Sequence, residues 1–407
     1  MLRFTTAGES HGQALVAILE GIPAGLALLA DHVNEQLARR QQGYGRGRRM
    51  QIEHDTVELL SGVRAGETIG SPIGMLVRNR DWKNWQDIMD PAPTPTLAAG
   101  ADAGAKAPRR RVVTRVRPGH ADLTGLLKYD REDARDILER ASARETTARV
   151  ALGAVCRRLL AEFGVRVGSH VVQLGDIRAR RPDQMPDDLN AAADQSVLRT
   201  LDRDAEQRMI ARIDAVKRDG NTLGGVCEIV ATGACVGLGS HTAWDRRLDA
   251  RIGRAMLSIP AVKGVEIGMG FGAAGATGAE VHDEMAPAPE NVLGGGVRRG
   301  TNRAGGLEGG MTTGEPLIVR AAMKPISTLM KPLATVDMAT GEPAQATAER
   351  SDVTAVPAMG VIAEAMLALV LAEAMLEKFG GDSLREMRYN YDGYLSHLKN
   401  RLGARSR

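Results

Sequence analysis

Aromatic residues are scarce: Phe, Trp and Tyr make up 3% of the 407 residues. A surface for single-stranded nucleic acid needs stacking platforms, and this chain has few to offer. Neither sign of charge dominates. Lys and Arg total 53 against 50 Asp and Glu, a formal net charge of +3, too balanced for a protein that coats DNA. Cysteine is almost missing. Cys156, Cys227 and Cys235 make no CxxC pair and no metal-ligand spacing, and so odd and small a count suits a reduced, intracellular chain. The opening MLRFTTAGESHG lacks the basic-then-apolar order of a secretory leader. The most apolar stretch, Met359 to Leu376, is interrupted by Glu364 and Glu373. It is shorter than the ~20 apolar residues of a membrane span and predicts a buried core helix. A cytoplasmic protein, engaging neither nucleic acid nor membrane, is expected.

Glycine is abundant, with 47 residues and no collagen period, which implies many tight turns and close backbone approaches. Short apolar runs separated by glycine turns, at Ala14–Gly21 and within 51–79, predict strands and hairpins. A helix is expected from Asp31 as N-cap through Val33 and Leu37. Ile137, Leu138, Val150, Val155, Leu159 and Leu160 recur near helical spacing, which predicts a long helix from about Arg131 to Phe163, stopping at Gly164. Further strands are predicted at Gly225–Ala231 and Val262–Ile267, and a surface helix pair over 178–218. Strands and helices mix without a clean βαβ alternation, so the fold class is α+β. One large domain is expected over residues 1–382, with a mobile Pro/Ala/Gly-rich loop at 91–111 and a C-terminal tail at 383–407.

Six segments could carry chemistry. Gly8-Glu9-Ser10-His11-Gly12 sets a histidine between glycines, where a ligand can approach closely and a proton can move near neutral pH; alone it could equally be a surface turn. Arg39, Arg40, Arg46, Arg48 and Arg49 crowd five guanidiniums around Gly43, Gly45 and Gly47. They suit an anion bound between them, or a Gly/Arg-type RNA-binding arm. Arg115 to Asp122 puts His120 beside Gly119, as a second proton-transfer group or as a satisfied loop histidine. Glu139 to Thr147 places Arg140 and Arg144 four apart, on one helix face, next to the small Ala141, Ser142 and Ala143, which leave room for something bulky; alternating surface charge and a packed interface or ligand face are equal readings. Thr301–Met311 and Met323–Thr328 combine paired glycines with Lys324, Ser327 and Thr328, which could grip a phosphate tail. Neither a P-loop nor a Rossmann fingerprint is present. Asp352, beside Arg350, is either a helix cap or a base held next to an anion-binding arginine. Together these residues describe a site for a small polyanion and a larger cofactor, without naming the reaction.

The motifs GESHG, GYGRG, RPGHAD, ERASARET, TNRAGGLEGGM, MKPIST and RSDVTAVPA, in this order across about residues 1–382, resemble the chorismate synthase family. The resemblance implies a β-α-β sandwich with helices between antiparallel sheets, assembled as a homotetramer. It implies a lyase that converts 5-enolpyruvylshikimate 3-phosphate to chorismate by trans-1,4 elimination of phosphate and a C6 proton, needing reduced FMN without net redox change. By resemblance, Ser10, Arg40, Arg46, Arg49, Arg144 and Arg350 are substrate-anion candidates. His11 would protonate the departing phosphate, His120 would govern the protonation of the reduced flavin, and Asp352 would act with the flavin in removing the C6 proton. The flavin would lie against Arg140, Ala141, Ser142, Pro260, Ala261, Gly309, Lys324, Pro325, Ile326, Ser327, Thr328 and Arg350. Where the family usually has a polar residue before Ala, this chain has Pro260, so that flavin contact is expected to be lost or left to the backbone. No reductase domain or nicotinamide motif is visible, which points to the monofunctional type with reduced flavin supplied by an external reductase. A bifunctional form oxidising NADPH, with nicotinamide contacts at Arg40 and Arg46, and a non-enzymatic anion- or RNA-binding module are the alternatives.

Overall fold

Alternation fixes the first sheet. In Ala14–Glu20, Leu15, Ala17 and Leu19 are buried, and in Ile73–Arg78 so are Ile73, Met75 and Val77, each set pointing to one face. In the computed structural model, which describes residues 1–47, 54–92, 112–347 and 352–403, these strands join Arg3–Ala7 and Val57–Leu59. The four-stranded antiparallel sheet has the order Arg3–Ala7, Ala14–Glu20, Ile73–Arg78, Val57–Leu59. A second antiparallel sheet has the order Val262–Ile267, Leu317–Met323, Gly225–Thr232, Arg166–Leu174, Ile177–Arg178.

Helices fill the space between the sheets. Ala30–Gln41 and Thr146–Ala161 lie on the first sheet, Val356–Phe379 lies on the second, and the two helical layers pack on each other. This is the α+β sandwich expected from the sequence, with helices between antiparallel sheets. Helices Thr146–Ala161 and Val356–Phe379 cross so closely that a Cβ at Gly153 would collide with Ala365. The segment Leu384–Gly403 is also helical. It buries Met387 and Tyr391 in the same core, with the Tyr391 ring 5.1 Å from both Phe163 and Phe379.

Val356–Phe379 is long and apolar enough to cross a membrane, yet 94% of its most apolar window is buried inside the fold. The price of sinking this helix is Glu364, 1% exposed. Its carboxylate accepts from Arg39 (2.8 and 3.1 Å), Arg157 (2.8 Å), Arg199 (2.9 Å) and Ser169 Oγ (2.6 Å). Burial alone would raise this carboxyl, but the three guanidiniums outweigh it and push it down to about 2.

Two expectations fail locally. The helix predicted over 131–163 is broken into Arg135–Leu138, a 3₁₀ turn at Ala143–Glu145, and Thr146–Ala161. Ser142 is extended, and its hydroxyl accepts from Arg144 N–H at 3.3 Å, restarting the helix as a side-chain cap. Arg140 and Arg144 therefore share no helix face. Asp31 is not the cap of the first helix but lies in its first turn; Leu29 occupies the cap, with its N–H donating to His32 Nδ1 at 3.1 Å.

Removing the Glu364 charge leaves three guanidiniums, those of Arg39 and Arg199 buried and that of Arg157 partly exposed, without their common counter-ion. Glu364→Gln should cost about 3–5 kcal/mol at pH 7, read as a lower urea midpoint. The ordinary value for this carboxyl is 4.5 and the folded one is about 2. Its contribution is thus complete above the ordinary value and lost as pH falls towards the folded one, so the gap between wild type and variant should close over that window.

Candidate active site

A cavity of about 540 Å³ opens where the first turn of Val356–Phe379 meets loops from both sheets. That lies within the ~300–1,000 Å³ usual for ligand sites. Its apolar wall includes Leu138, Ala141, Met323, Ile326, Ala358, Met359 and Ile362, and its polar groups converge from distant segments.

His11 follows the strand Arg3–Ala7, on a turn that Arg140 pins by donating to Thr6 O, Thr6 Oγ1 and Gly8 O at 2.7–3.0 Å. Glu139, 2% exposed, accepts from His11 N–H at 2.8 Å and contacts His11 Nδ1 at 2.9 Å. The Glu139 contact at Nδ1 fixes which edge of the His11 ring is turned away from the carboxylate. Burial would raise the Glu139 carboxyl; the hydrogen bonds and charge of His11, with Arg135, hold it below the ordinary value.

His120 is built the same way. Its Nδ1 lies 2.5 Å from Asp122 Oδ1, and Asp122 is fully buried. Arg117 donates to both Asp122 oxygens (2.8 and 3.1 Å) and to Thr328 Oγ1 (3.0 Å). Burial opposes ionisation of Asp122, yet His120 and Arg117 outweigh it and keep the carboxyl well below the usual carboxylate range. Gly119, at φ +75°, turns the loop so that its carbonyl accepts from Lys324 Nζ at 2.9 Å. Burial, with Lys263 nearby, lowers the Lys324 ammonium from its ordinary value.

The arginine-rich turn supplies the third wall. Gly45, at φ +85°, has only Ile213 and Thr354 methyls where a side chain would stand. Asp352 Oδ1 accepts from Gly47 N–H at 2.6 Å, and its Oδ2 lies 3.2 Å from Arg46 Nε. Asp352 is not a helix cap: Ala355 is the N-cap of Val356–Phe379, with no side-chain bond. Arg40 donates to Thr146 Oγ1 (3.0 Å) and Ala143 O (2.7 Å), while its Nη1 is buried with no hydrogen-bond partner among the described residues, 3.8 Å from Asp55. Burial, reinforced by Arg46 and Arg144 and opposed by Asp55, pushes the Arg40 guanidinium down to about 10. It remains charged at neutral pH.

Of the residues singled out in the sequence, Ser10, His11, Arg40, Arg46, His120, Ala141, Ser142, Pro260, Ala261, Lys324, Ile326, Ser327, Thr328 and Asp352 line this one cavity. Arg144 does not; it is buried behind the wall and donates to Asp55 at 2.6 Å. Arg140 faces the strand end already described. Pro325 belongs to the lining loop without lining it itself, and Gly309 lies in the hairpin Leu307–Thr312, with His241 and Met311 as its neighbours. Ala261 adopts φ +67°, and its carbonyl is taken by Lys324 N–H at 2.9 Å. Arg48, Arg49, Arg350 and residues 93–111 lie outside the described residues. Sequence reasoning gave no role to Glu139, Arg117, Asp122, Asp55 or Trp85. The spacing His120-x-Asp122 was a usable signal for one of the carboxylates; Asp55 and Trp85 had none.

Two carboxylate-backed imidazoles, an arginine pair and a loop carboxylate around one cavity have the chemistry that a small polyanion and proton transfer would need. A family model, chorismate synthase, matches residues 2–376. The chain is 56% identical over 402 residues to chorismate synthase of Geobacter metallireducens, covering 98% of this chain and 100% of that one. It is 53% identical over 398 residues to chorismate synthase of Brevibacillus brevis, with 98% and 100% covered. A crystal structure of chorismate synthase superposes with a TM-score of 0.77 at 42% identity, covering 98% of each chain. The chain belongs to the chorismate synthase family, lyases of the shikimate pathway that serves aromatic amino-acid biosynthesis.

An anion-binding cavity should respond to inorganic phosphate. Millimolar phosphate should raise the melting temperature of the wild type, since a ligand of the native state alone stabilises it. Arg46→Gln, which removes a largely buried guanidinium facing Asp352 from the wall, should lower the melting temperature without phosphate and abolish the phosphate-induced rise.

Proposed function

We propose that this site carries out the trans-1,4 elimination that converts 5-enolpyruvylshikimate 3-phosphate to chorismate, and that reduced FMN is the resident cofactor. The observation that carries this reading is the convergence of His11, His120, Asp352, Arg40 and Arg46 on one cavity. A substrate with a phosphate and two carboxylates requires several guanidiniums in one place, and Arg presents paired donors to such oxygens. The C–O bond to phosphate breaks, a proton leaves C6, and the electrons of that C–H bond end in the new diene, so the reaction has no net redox change.

The residues fit a flat aromatic cofactor with a phosphate tail. The apolar wall offers a broad face, and Arg40 Nη1 is a buried donor without a hydrogen-bond partner among the described residues. Ala141, Ser142, Pro260, Ala261, Lys324, Ile326, Ser327 and Thr328 would hold it. With proline at 260 and the Ala261 carbonyl already used by Lys324 N–H, that segment would offer shape more than polar contact. Reduced FMN, when bound, supplies electron density that assists departure of phosphate.

The protein supplies the rest. Arg40 and Arg46 bind the anionic groups and stabilise the charge that collects on leaving phosphate. Ser10, whose Oγ accepts from Ser142 Oγ at 3.1 Å, gives a neutral polar contact beside them. His11, backed by Glu139, delivers a proton to the departing phosphate from its cavity-facing nitrogen. His120, held by Asp122 and Arg117, keeps a second imidazole at the cavity wall for the protonation state of the cofactor. Asp352 is the acceptor for the C6 proton. Its Oδ2 is tied to Arg46 in the ligand-free protein, so capture of Arg46 by a substrate anion would free that oxygen. The enzyme is proposed to be cytoplasmic, homotetrameric and monofunctional, with reduced flavin delivered by a separate reductase.

The test is an anaerobic assay with 5-enolpyruvylshikimate 3-phosphate and chemically reduced FMN, following chorismate absorbance and phosphate release together. Equimolar chorismate and phosphate are expected, with none from oxidised FMN plus NADPH. His11→Ala and His120→Ala should each lose about 10²–10⁴-fold in turnover, the usual contribution of a positioned acid or base. Asp352→Asn should keep substrate binding and lose turnover. Near-wild-type rates in both histidine variants would overturn the acid–base assignment.

A further inference from the structure

The imidazole of His11 is held on its face as well as its edge. Asn79 is 7% exposed, and its side-chain amide donates to Ser10 O at 3.2 Å and Gly12 O at 3.0 Å, clamping the carbonyls that flank His11. Asn79 Oδ1 accepts from Asp81 N–H at 3.1 Å, and Asp81 Oδ2 accepts from Trp85 Nε1 at 2.9 Å. The Trp85 ring stacks on the His11 ring, with centroids 3.7 Å apart and planes 25° from parallel. Arg135 closes the circuit: its guanidinium carbon lies 5.1 Å from the Trp85 ring centroid, and its Nη1 donates to Glu139 Oε1 at 2.9 Å. Glu139 is the carboxylate behind His11.

A hydrogen bond at Nδ1 alone lets an imidazole pivot about that contact. A flat indole against one face removes the pivot. Asp81 satisfies the indole N–H, and Arg135 contributes a cation–π contact. We propose that Trp85 is a positioning residue for His11, fixing the imidazole plane that presents its Nε2 edge towards the leaving phosphate. The proposal rests on the proton-donor role given to His11 under the chorismate synthase reading. A misplacement of about 1 Å in such a group costs on the order of a hundredfold in rate.

The charged groups around the ring are Glu139 at Nδ1, Arg135 and Asp81 through the indole, and Glu9 in the same turn. The cavity wall adds Arg40, Arg46 and Asp352, and the group of Arg117, His120 and Lys324. A protonated imidazole quenches an indole stacked on it, so Trp85 reports the state of His11 directly. In a Trp82→Phe/Trp244→Phe background, Trp85 is the sole tryptophan. Its emission should fall as the imidazole takes up a proton, and His11→Ala should flatten that response. In turnover, Trp85→Ala should lose about a hundredfold in kcat with little change in KM. Trp85→Phe, which keeps a flat face, should recover most of the loss, and Trp85→Leu, which keeps apolar bulk only, should not. Emission that ignores the imidazole titration, or Trp85→Leu turning over like the wild type, would overturn the proposal. Should the wild type make no chorismate, the underlying reading fails, and the fluorescence titration alone then decides whether Trp85 fixes His11.

Discussion

The structure depends on one helix, Val356–Phe379, being apolar enough to be buried from both sides while carrying a carboxylate. Its burial lets two antiparallel sheets share a single core, because each sheet alone has one apolar face to cover. Glu364 makes that burial specific. Three guanidiniums from three different elements must reach it, from Ala30–Gln41, from Thr146–Ala161 and from the turn at Arg199. A slide of the helix by one turn would take the carboxylate away from all three guanidiniums, of which Arg39 and Arg199 alone keep Asp194 as a second partner. The same helix reaches the cavity with the turns just before Glu364, where Ala355, Ala358, Met359 and Ile362 form part of the wall. The ionic centre of the core and the chemistry of the site are thus registered by one rigid rod.

The site repeats one device. Each cavity-facing histidine has a buried carboxylate behind it, and each carboxylate is tied by an arginine: Glu139 by Arg135, and Asp122 by Arg117. Buried carboxylates survive as anions only with such partners. The arrangement fixes which ring nitrogen faces the ligand. The arginines on the opposing wall are handled differently. Asp55 and Asp352 moderate their mutual repulsion, and among the described residues Arg40 Nη1 has no hydrogen-bond partner. A protein that needed only to bind an anion would have no use for the carboxylate-backed imidazoles beside it.

Much of the fold was legible locally. Ala14–Glu20 carries a period of two, whereas the run ending at Gly380 is buried nearly all round and was legible from its length and apolarity instead. The helix over 131–163 misled, because the apolar spacing at Ile137 and Leu138 continues in phase across Glu139–Ser142 while the backbone does not. Ser142 competes for the local backbone and restarts the helix as a cap. That break lets Ala141 and Ser142 line the cavity while Arg144 is buried behind it. The motif histidines, Arg40, Arg46 and Asp352 were legible as candidates because loop glycines and clustered cations are unusual. Their partners were not. Glu139 lies 128 residues from His11, and Asp55 lies 89 from Arg144.

The sequence by itself determined the chemical inventory, the fold class and the buried helix, since composition and short-range periodicity are properties of neighbours along the chain. The tertiary structure alone decided which carboxylate stands behind which imidazole, which arginines are buried beside the cavity, and that Trp85 covers the face of His11. Such pairings are set by how sheets and helices pack across long sequence separations. Desolvation then converts each pairing into a fixed charge and a fixed geometry, and no local pattern in the chain encodes that step.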